Sequence, residues 1–437
     1  MIRTAVVVSL LAPLACVDSG APPQPAATVT DSAGIRIVTT PPGDLVYAEL
    51  AAEPVLSIGE FSGPDELLFG RIQSVRRDAA GNLVVADGQA HQIRIFDPQG
   101  RHLQSVGREG EGPGEFESLQ GAWPVSDGGI VAADILLDRI TQFDAEGTPD
   151  ATATLAGSED ISFSTIGLAG PGMLLSRAAA PYVFSPESLS GSTKDVMDAM
   201  VGGEENRRLL FVRHRFGGTL VDTVATGRDA LRASVSRGSG VEMEVTSFTV
   251  PFSPRSVAAG SAHGVVVTDG AAYGVRVFGE DGSLRLIARI DDPRAIRTDA
   301  HLEKYVRGYR SDSDEREIQE DIERYRQSPL PDSLPGYTDL LFAEGGEVWA
   351  RRYRVRGRVS GPLGCLRRRR LLPRPGGRPR LVPHRGSGPR PGPRRRDRRT
   401  RGRARATVRS CGAWIVTPSL AQPVVGGTGG HDSGGTG

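Results

Sequence analysis

The chain has 437 residues, a formal net charge of +1 and three cysteines, Cys16, Cys365 and Cys411. The neutrality is a cancellation: residues 1–350 hold 30 basic and 50 acidic groups, whereas Arg351 to Ser410 hold 23 arginines, no lysine and one aspartate, Asp397. An acidic body therefore carries a basic tail, and a body without cysteine cannot rest on a disulfide framework.

Residues 1–16, MIRTAVVVSLLAPLAC, combine an early arginine with an apolar run from Ala5 to Ala15. The run is too short for a mature bilayer span and reads as an export signal. Ala15 followed by Cys16 resembles the lipobox of bacterial lipoproteins, which implies lipidation of Cys16 and a periplasmic or outer-membrane anchorage. Pro13 departs from the usual leucine of that pattern, and ordinary signal cleavage is the alternative. Residues 17–47 read as a flexible tether with a leading strand at Gly34 to Thr39. Val55 to Ile58 is the expected closing strand of a ring whose two termini share a blade.

From Gly81 the chain repeats itself. Advancing 47 positions turns Gly81, Ala86, Asp87, Ile93, Phe96, Asp97 and Gly100 into Gly128, Ala133, Asp134, Ile140, Phe143, Asp144 and Gly147. A third copy at an offset of 182 carries Asp269, Phe278 and Gly282. A period near 45 residues filled with strand patterns indicates a β-propeller, one blade per repeat. In the first copy Gln92 to Phe96 places Ile93 and Ile95 inward and Arg94 outward. Gly100 accepts the positive φ that ends the next turn.

GREGEGPGEF (Gly107 to Phe116), GGIVAAD (Gly128 to Asp134) and DRITQFDAEG (Asp138 to Gly147) together resemble the NHL-repeat type of six-bladed propeller. The resemblance covers about residues 70–150 and, more loosely, 250–290. It implies an all-β ring whose top face and funnel bind partners, and its hydrolase and lyase members imply one divalent cation on the axis as the alternative. Glu117, Ser118 and Leu119 stand where family members often carry a proline.

Residues 151–250 are degenerate, with Gly172 to Arg177 and Leu209 to Thr223 counted as two further blades. Over 296–327, Leu302, Tyr305, Val306 and Tyr309, then Ile318, Ile322 and Tyr325, fall at helical spacing and predict two amphipathic helices capping one face. Leu340 to Arg351 restarts a blade that is cut short near Val355. Residues 356–437 read as a disordered Arg/Pro/Gly-rich tail, and its composition suggests a shifted reading frame.

Asp87, Asp134 and Asp269 sit at one blade position and are expected to accept backbone hydrogen bonds rather than form a metal ring. Scattered histidines without ligand spacing give no metal site. Gly107, Gly110, Gly112 and Gly114 mimic a nucleotide loop, yet a strand follows instead of a helix, so they are assigned to a blade crossover anchored by Phe116. The tail could neutralise phosphates, but it lacks stacking aromatics, and nucleic acid is set aside. No nucleophile elbow or HExxH occurs. The reading is an all-β, six-bladed propeller over 48–355 with a two-helix insertion. It is an exported, lipid-anchored, monomeric binding platform for a protein, peptide or glycan, without cofactor, rather than an enzyme.

Overall fold

The computed structural model describes residues 27–42, 54–157, 161–179, 208–237, 244–310, 313–343, 345–355 and 414–416. Cys16, residues 17–26 and 43–47 of the expected tether, and nearly all of the basic tail lie outside the described residues.

A leading hairpin, β1 (Thr28–Ser32) and β2 (Ile35–Thr40), is followed by blade I: β3 (Ile72–Arg77), β4 (Leu83–Asp87), β5 (Gln92–Phe96) and β6 (His102–Val106). A short parallel pair, β7 (Arg108–Glu109) and β8 (Glu115–Phe116), leads into blade II: β9 (Leu119–Pro124), β10 (Ile130–Asp134), β11 (Arg139–Phe143) and β12 (Pro149–Thr154). Blade III holds β13 (Ser164–Leu168), β14 (Met173–Ala179), β15 (Arg208–Arg215) and β16 (Leu220–Arg228). A separate hairpin, β17 (Arg232–Arg237) and β18 (Glu244–Thr249), precedes blade IV: β19 (Val257–Ser261), β20 (Gly264–Thr268), β21 (Gly274–Phe278) and β22 (Leu284–Ile290). Helices α1 (Asp299–Tyr309) and α2 (Glu315–Arg326) come next, then blade V with β23 (Tyr337–Phe342), β24 (Val348–Arg352) and β25 (Trp414–Val416).

The repeat is structural as well as sequential. Leu83 pairs Phe96 and Asp87 pairs Gln92 in blade I, just as Ile130 pairs Phe143 and Asp134 pairs Arg139 in blade II. Blade faces are buried on both sides, which explains why β4, β10 and β20 are nearly continuous apolar runs. Val84, Ala86, Ile93 and Ile95 of blade I meet Leu119, Ala122 and Ile130 of blade II. Each buried valine, leucine or isoleucine among them contributes about 1.5–3 kcal/mol, and each alanine methyl about 0.8 kcal/mol. The first strands pack one against the next in the order β3, β9, β13, β19, β23. No comparable packing joins β23 to β3 among the described residues, and Leu341 on β23 is 46% exposed. The fold is an all-β, six-bladed propeller with a two-helix insertion, of which five blades lie among the described residues.

Several expectations are corrected. Gly172 to Arg177 and Leu209 to Thr223 belong to one blade, because Leu175 pairs Arg213 across a long excursion between β14 and β15 that made one sheet read as two. Val55 is fully exposed and Ile58 packs on the Phe69, Val85 and Phe96 side of blade I. The strand that joins another blade is β2, which pairs in parallel with the outer strand β22 from Arg36 opposite Leu286 to Thr40 opposite Ile290. It thereby covers an edge that would otherwise offer unpaired backbone groups. Thr28–Ser32, expected within the tether, is a strand, and Trp414–Val416, expected within the tail, pairs with Trp349 to Arg351.

His214 is fully buried in blade III, with Nε2–H donating to the Ala156 carbonyl at 3.0 Å and the ring edge-on to Phe163 at 4.8 Å. Burial pushes its pKa below the ordinary imidazole value, outweighing the hydrogen bond to Ala156. The unfolded chain therefore binds the proton more readily, and stability falls as pH drops below about 6.5, by at most about 1.4 kcal/mol per pH unit. His214→Leu is expected to flatten the decline of Tm between pH 7 and pH 5, and an unchanged decline would assign the acid sensitivity to other groups.

Candidate binding face at the helix-capped mouth

In blades I to IV, four antiparallel strands put the blade-to-blade connectors and the turns between second and third strands at one end of the ring. Turns joining first to second and third to fourth strands lie at the other end. The connector end carries the 107–118 crossover, the 135–138 turn, the β17–β18 hairpin and both helices.

Asp87 closes its strand with a fully buried carboxylate that accepts from the amides of Gly70 and Arg71 at 2.9 Å, and of Gln89 and Ala90 at 3.1 and 3.4 Å. Asp134 does the same for Glu117, Ser118, Leu136 and Leu137 at 2.7–3.1 Å. Each carboxylate thus ties an incoming connector to a local turn, since buried amides require an acceptor. Asp269 is exposed and accepts only from Ala271 and Ala272, because Thr268 takes the buried place before it. Arg94, expected outward, is 4% exposed: its Nη1 lies 3.5 Å from Asp87 and donates to the Leu68 carbonyl, and its guanidinium covers Phe69.

The crossover residues pack as one unit. Phe116 is fully buried and meets Phe143 at 6.2 Å. Gly107 has φ +88°, and a Cβ there would lie 2.6 Å from the Phe116 ring, so only glycine fits. Gly110 and Gly112 border the Glu115 carboxylate, and Gly114 borders Pro149. Glu115 accepts from Arg108 Nε and the Gly112 amide, while Arg139 donates to the carbonyls of Glu111, Gly112 and Glu115. Phe96 and Phe278 are core residues of blades I and IV. Gly100, Gly147 and Gly282, with φ near +82°, serve turns at the opposite end. That end also holds a recess of about 210 Å³ lined by Asp127, Asp144, Asp150 and Phe216.

The cap is built on an aromatic cluster. Leu302, Val306, Ile318, Ile322 and Tyr325 from the helices pack with Phe248 and Phe252 from the hairpin connector and with Tyr353 after β24. Thr298 caps α1 through a reciprocal bond with His301, and Asp314 caps α2 by accepting from the Glu317 amide at 2.9 Å. Asp321, 3% exposed, accepts from Tyr309 Oη at 2.6 Å and Arg310 Nε at 2.7 Å, and is also paired with Arg324. Burial alone would raise the Asp321 pKa, but these hydrogen bonds and charges hold it below the usual carboxylate value. Burial and the adjoining carboxylate push the Tyr309 hydroxyl up. At the base of the cap, Arg352 donates to Asp292 at 2.6 Å and lies over Tyr273. The cap is therefore docked on the ring by apolar and aromatic packing, while its ionic contacts brace the two helices against each other.

At the connector end of blade II, Leu136 is 68% and Ile135 37% exposed, on a turn that Asp134 fixes. Near the joint of blades III and IV, Arg255 pairs with Asp229 at 3.0 Å, and Arg177 is half-buried. Sequence reasoning missed the Asp321 group and the Arg255–Asp229 pair. A buried acid at helical spacing among Ile318, Ile322 and Tyr325 was the available signal for the first.

A family described as a 6-bladed beta-propeller matches residues 61–164. Among solved structures, the chain is similar to a Bacteroides fragilis protein assigned as exported, at 14% identity and TM-score 0.38, covering 73% of this chain and 75% of that one. It is similar to a member of a family from Bacteroides vulgatus at 9% identity and TM-score 0.35, over 72% and 78%. Virginiamycin B lyase from Staphylococcus aureus aligns at 14% identity and TM-score 0.23, over 51% of this chain and 85% of that one. No curated protein sequence matches the chain.

Proposed function

We propose that the chain is an exported, NHL-like propeller, anchored through a lipidated Cys16, whose helix-capped end is a binding platform for a protein, peptide or glycan. The observation that carries the reading is the pairing of exposure with rigidity at Leu136. Two adjacent apolar side chains stand in solvent on a turn whose amides are held by a buried carboxylate. A preordered apolar projection loses little freedom on docking, which favours recognition over local packing as its role. The helix pair at the same end of the ring is an addition to the repeat. Export and anchorage are supported by the Met1 to Cys16 stretch, and the NHL type by Gly107 to Gly147.

The test uses the full chain in its native membrane. A photo-crosslinking side chain at Leu136 is expected to yield a discrete adduct, and Leu136→Asp to weaken partner recovery by roughly tenfold, as for a central apolar contact. Cys16→Ser is expected to move the chain from the membrane to the soluble fraction. Absence of any adduct at Leu136 would overturn the platform, and retention of Cys16→Ser in the membrane would overturn the anchor.

A further inference from the structure

We propose that the recess at the end of the ring away from the helices binds the arginine side chain of a basic peptide. The recess, of about 210 Å³, opens where blades II and III meet. Val131 and Phe143 of blade II, both buried, and half-buried Phe216, from the turn between β15 and β16, supply its apolar surface. Asp127, Asp144 and Asp150 line the same space, and no arginine, lysine or histidine does. Asp127 accepts from the Gly129 amide at 2.9 Å and Asp144 from the Thr148 amide at 2.7 Å, each through Oδ1 alone. Neither a hydrogen bond nor an ion pair engages the side chain of Asp150, or that of half-buried Gln142 in the wall, among the described residues. Arg215, next to Phe216 in the chain, is exposed and makes no ion pair among the described residues.

The walls are set before a ligand arrives. Val125 donates to the Gly129 carbonyl at 3.0 Å and accepts from Gly128 at 3.1 Å, and the same two bonds join Asp144 to Thr148 and Gly147. Phe216 donates its amide to the Gly172 carbonyl at 3.1 Å and packs, with Val125, on the cluster of Trp123 and Val131. Carboxylates gathered around one apolar space repel one another unless a counter-ion joins them. The aspartates are not grouped as metal ligands among the described residues, which points to an organic cation. A cation on an aliphatic stem answers both features, because the stem covers apolar surface while the charge stays at the rim. Pockets for drug-sized ligands measure roughly 300–1,000 Å³, so this smaller recess suits a single side chain. Guanidinium fits better than ammonium, since it is planar, pairs its donors with carboxylates and lies against an aromatic ring such as Phe216. The acidic body draws such a basic chain toward it. The recess and Leu136 lie at opposite ends of the ring, and the inference depends on neither the platform nor the anchor.

The experiment titrates the full chain, Asp150→Asn, Phe216→Leu and the control Glu146→Gln by calorimetry at constant ionic strength. The probes are a capped glycine–arginine–glycine peptide and its lysine counterpart. Glu146 is exposed on the same turn as Asp144 and lines no part of the recess, so its replacement removes charge from the neighbourhood alone. Tail arginines are common to all four proteins. The arginine peptide is expected to bind wild type and Glu146→Gln about equally, and Asp150→Asn about tenfold more weakly, as for a lost charge-assisted hydrogen bond. Phe216→Leu is expected to weaken it as well, and wild type to bind the lysine peptide less tightly. Without peptide, Asp150→Asn is expected to unfold no lower than wild type, because its carboxylate holds nothing in the fold. No binding of the arginine peptide to wild type, equal binding by Asp150→Asn and wild type, an equal loss in Glu146→Gln, or a lower peptide-free Tm for Asp150→Asn would overturn the proposal. Equal affinity for the two peptides would overturn the assignment to arginine.

Discussion

Asp87→Ala is expected to destabilise the body by about 3–5 kcal/mol, as the removal of one partner from a buried ionic group does. The substitution strips the acceptor from the amides of Gly70, Arg71, Gln89 and Ala90 and leaves Arg94, 4% exposed, without its carboxylate. Unsatisfied buried donors cost about 1–3 kcal/mol each, so relaxation that admits water sets the lower end of the range. Asp134→Ala removes an equivalent set of four amide bonds and is expected to cost nearly as much. Asp269→Ala is the internal control. Its carboxylate is exposed and holds two local amides, so a loss near 1 kcal/mol or less is expected, in the range of an exposed cap. Thermal unfolding of the three variants ranks them directly. Equal losses at all three positions would contradict the distinction drawn between fastening a connector and closing a turn.

The second large effect is expected at the joint of blades III and IV. Arg213 donates to Asp222 from Nε and Nη2, and to the carbonyls of Glu280 and Asp281 from Nη1 and Nη2. Its guanidinium rests on Gly282, whose φ of +81° and absent Cβ leave it room. Arg213→Ala is expected to cost about 3 kcal/mol, and Arg213→Lys to recover little, because an ammonium cannot span the carboxylate and both carbonyls in one plane. Gly282→Ala should cost about 1–2 kcal/mol through its backbone conformation, and more through collision with Arg213. In an Arg213→Ala background the collision disappears. A double-mutant cycle is therefore expected to show coupling of at least about 0.5 kcal/mol, and strict additivity would contradict the contact.

What could be read from the sequence follows from how local each feature is. The blade period was legible because Asp87 and Asp134 share a register with everything within fifteen residues of them. Asp269 matches the same spacing, yet its environment differs because Thr268 occupies the interior in its stead. The amphipathic pattern of α1 and α2 was legible from Leu302 through Tyr325, and their docking onto Phe252 was not. Period-two alternation assigned Arg94 to solvent because it assumes one wet face, whereas a blade has none. The docking of β2 onto β22, and the reach of Arg213 to the Glu280 and Asp281 carbonyls, depend on which blades become neighbours. Such long-range contacts leave no spacing in the chain.

An experimental crystal structure of the full chain tests the central claim most directly. The account predicts inner strands β3, β9, β13, β19 and β23 converging on one axis, with α1 and α2 seated over Phe252 at the end where the blade connectors run. Blades that share no axis, or helices seated at the Gly100 and Gly147 end of the ring, would contradict it.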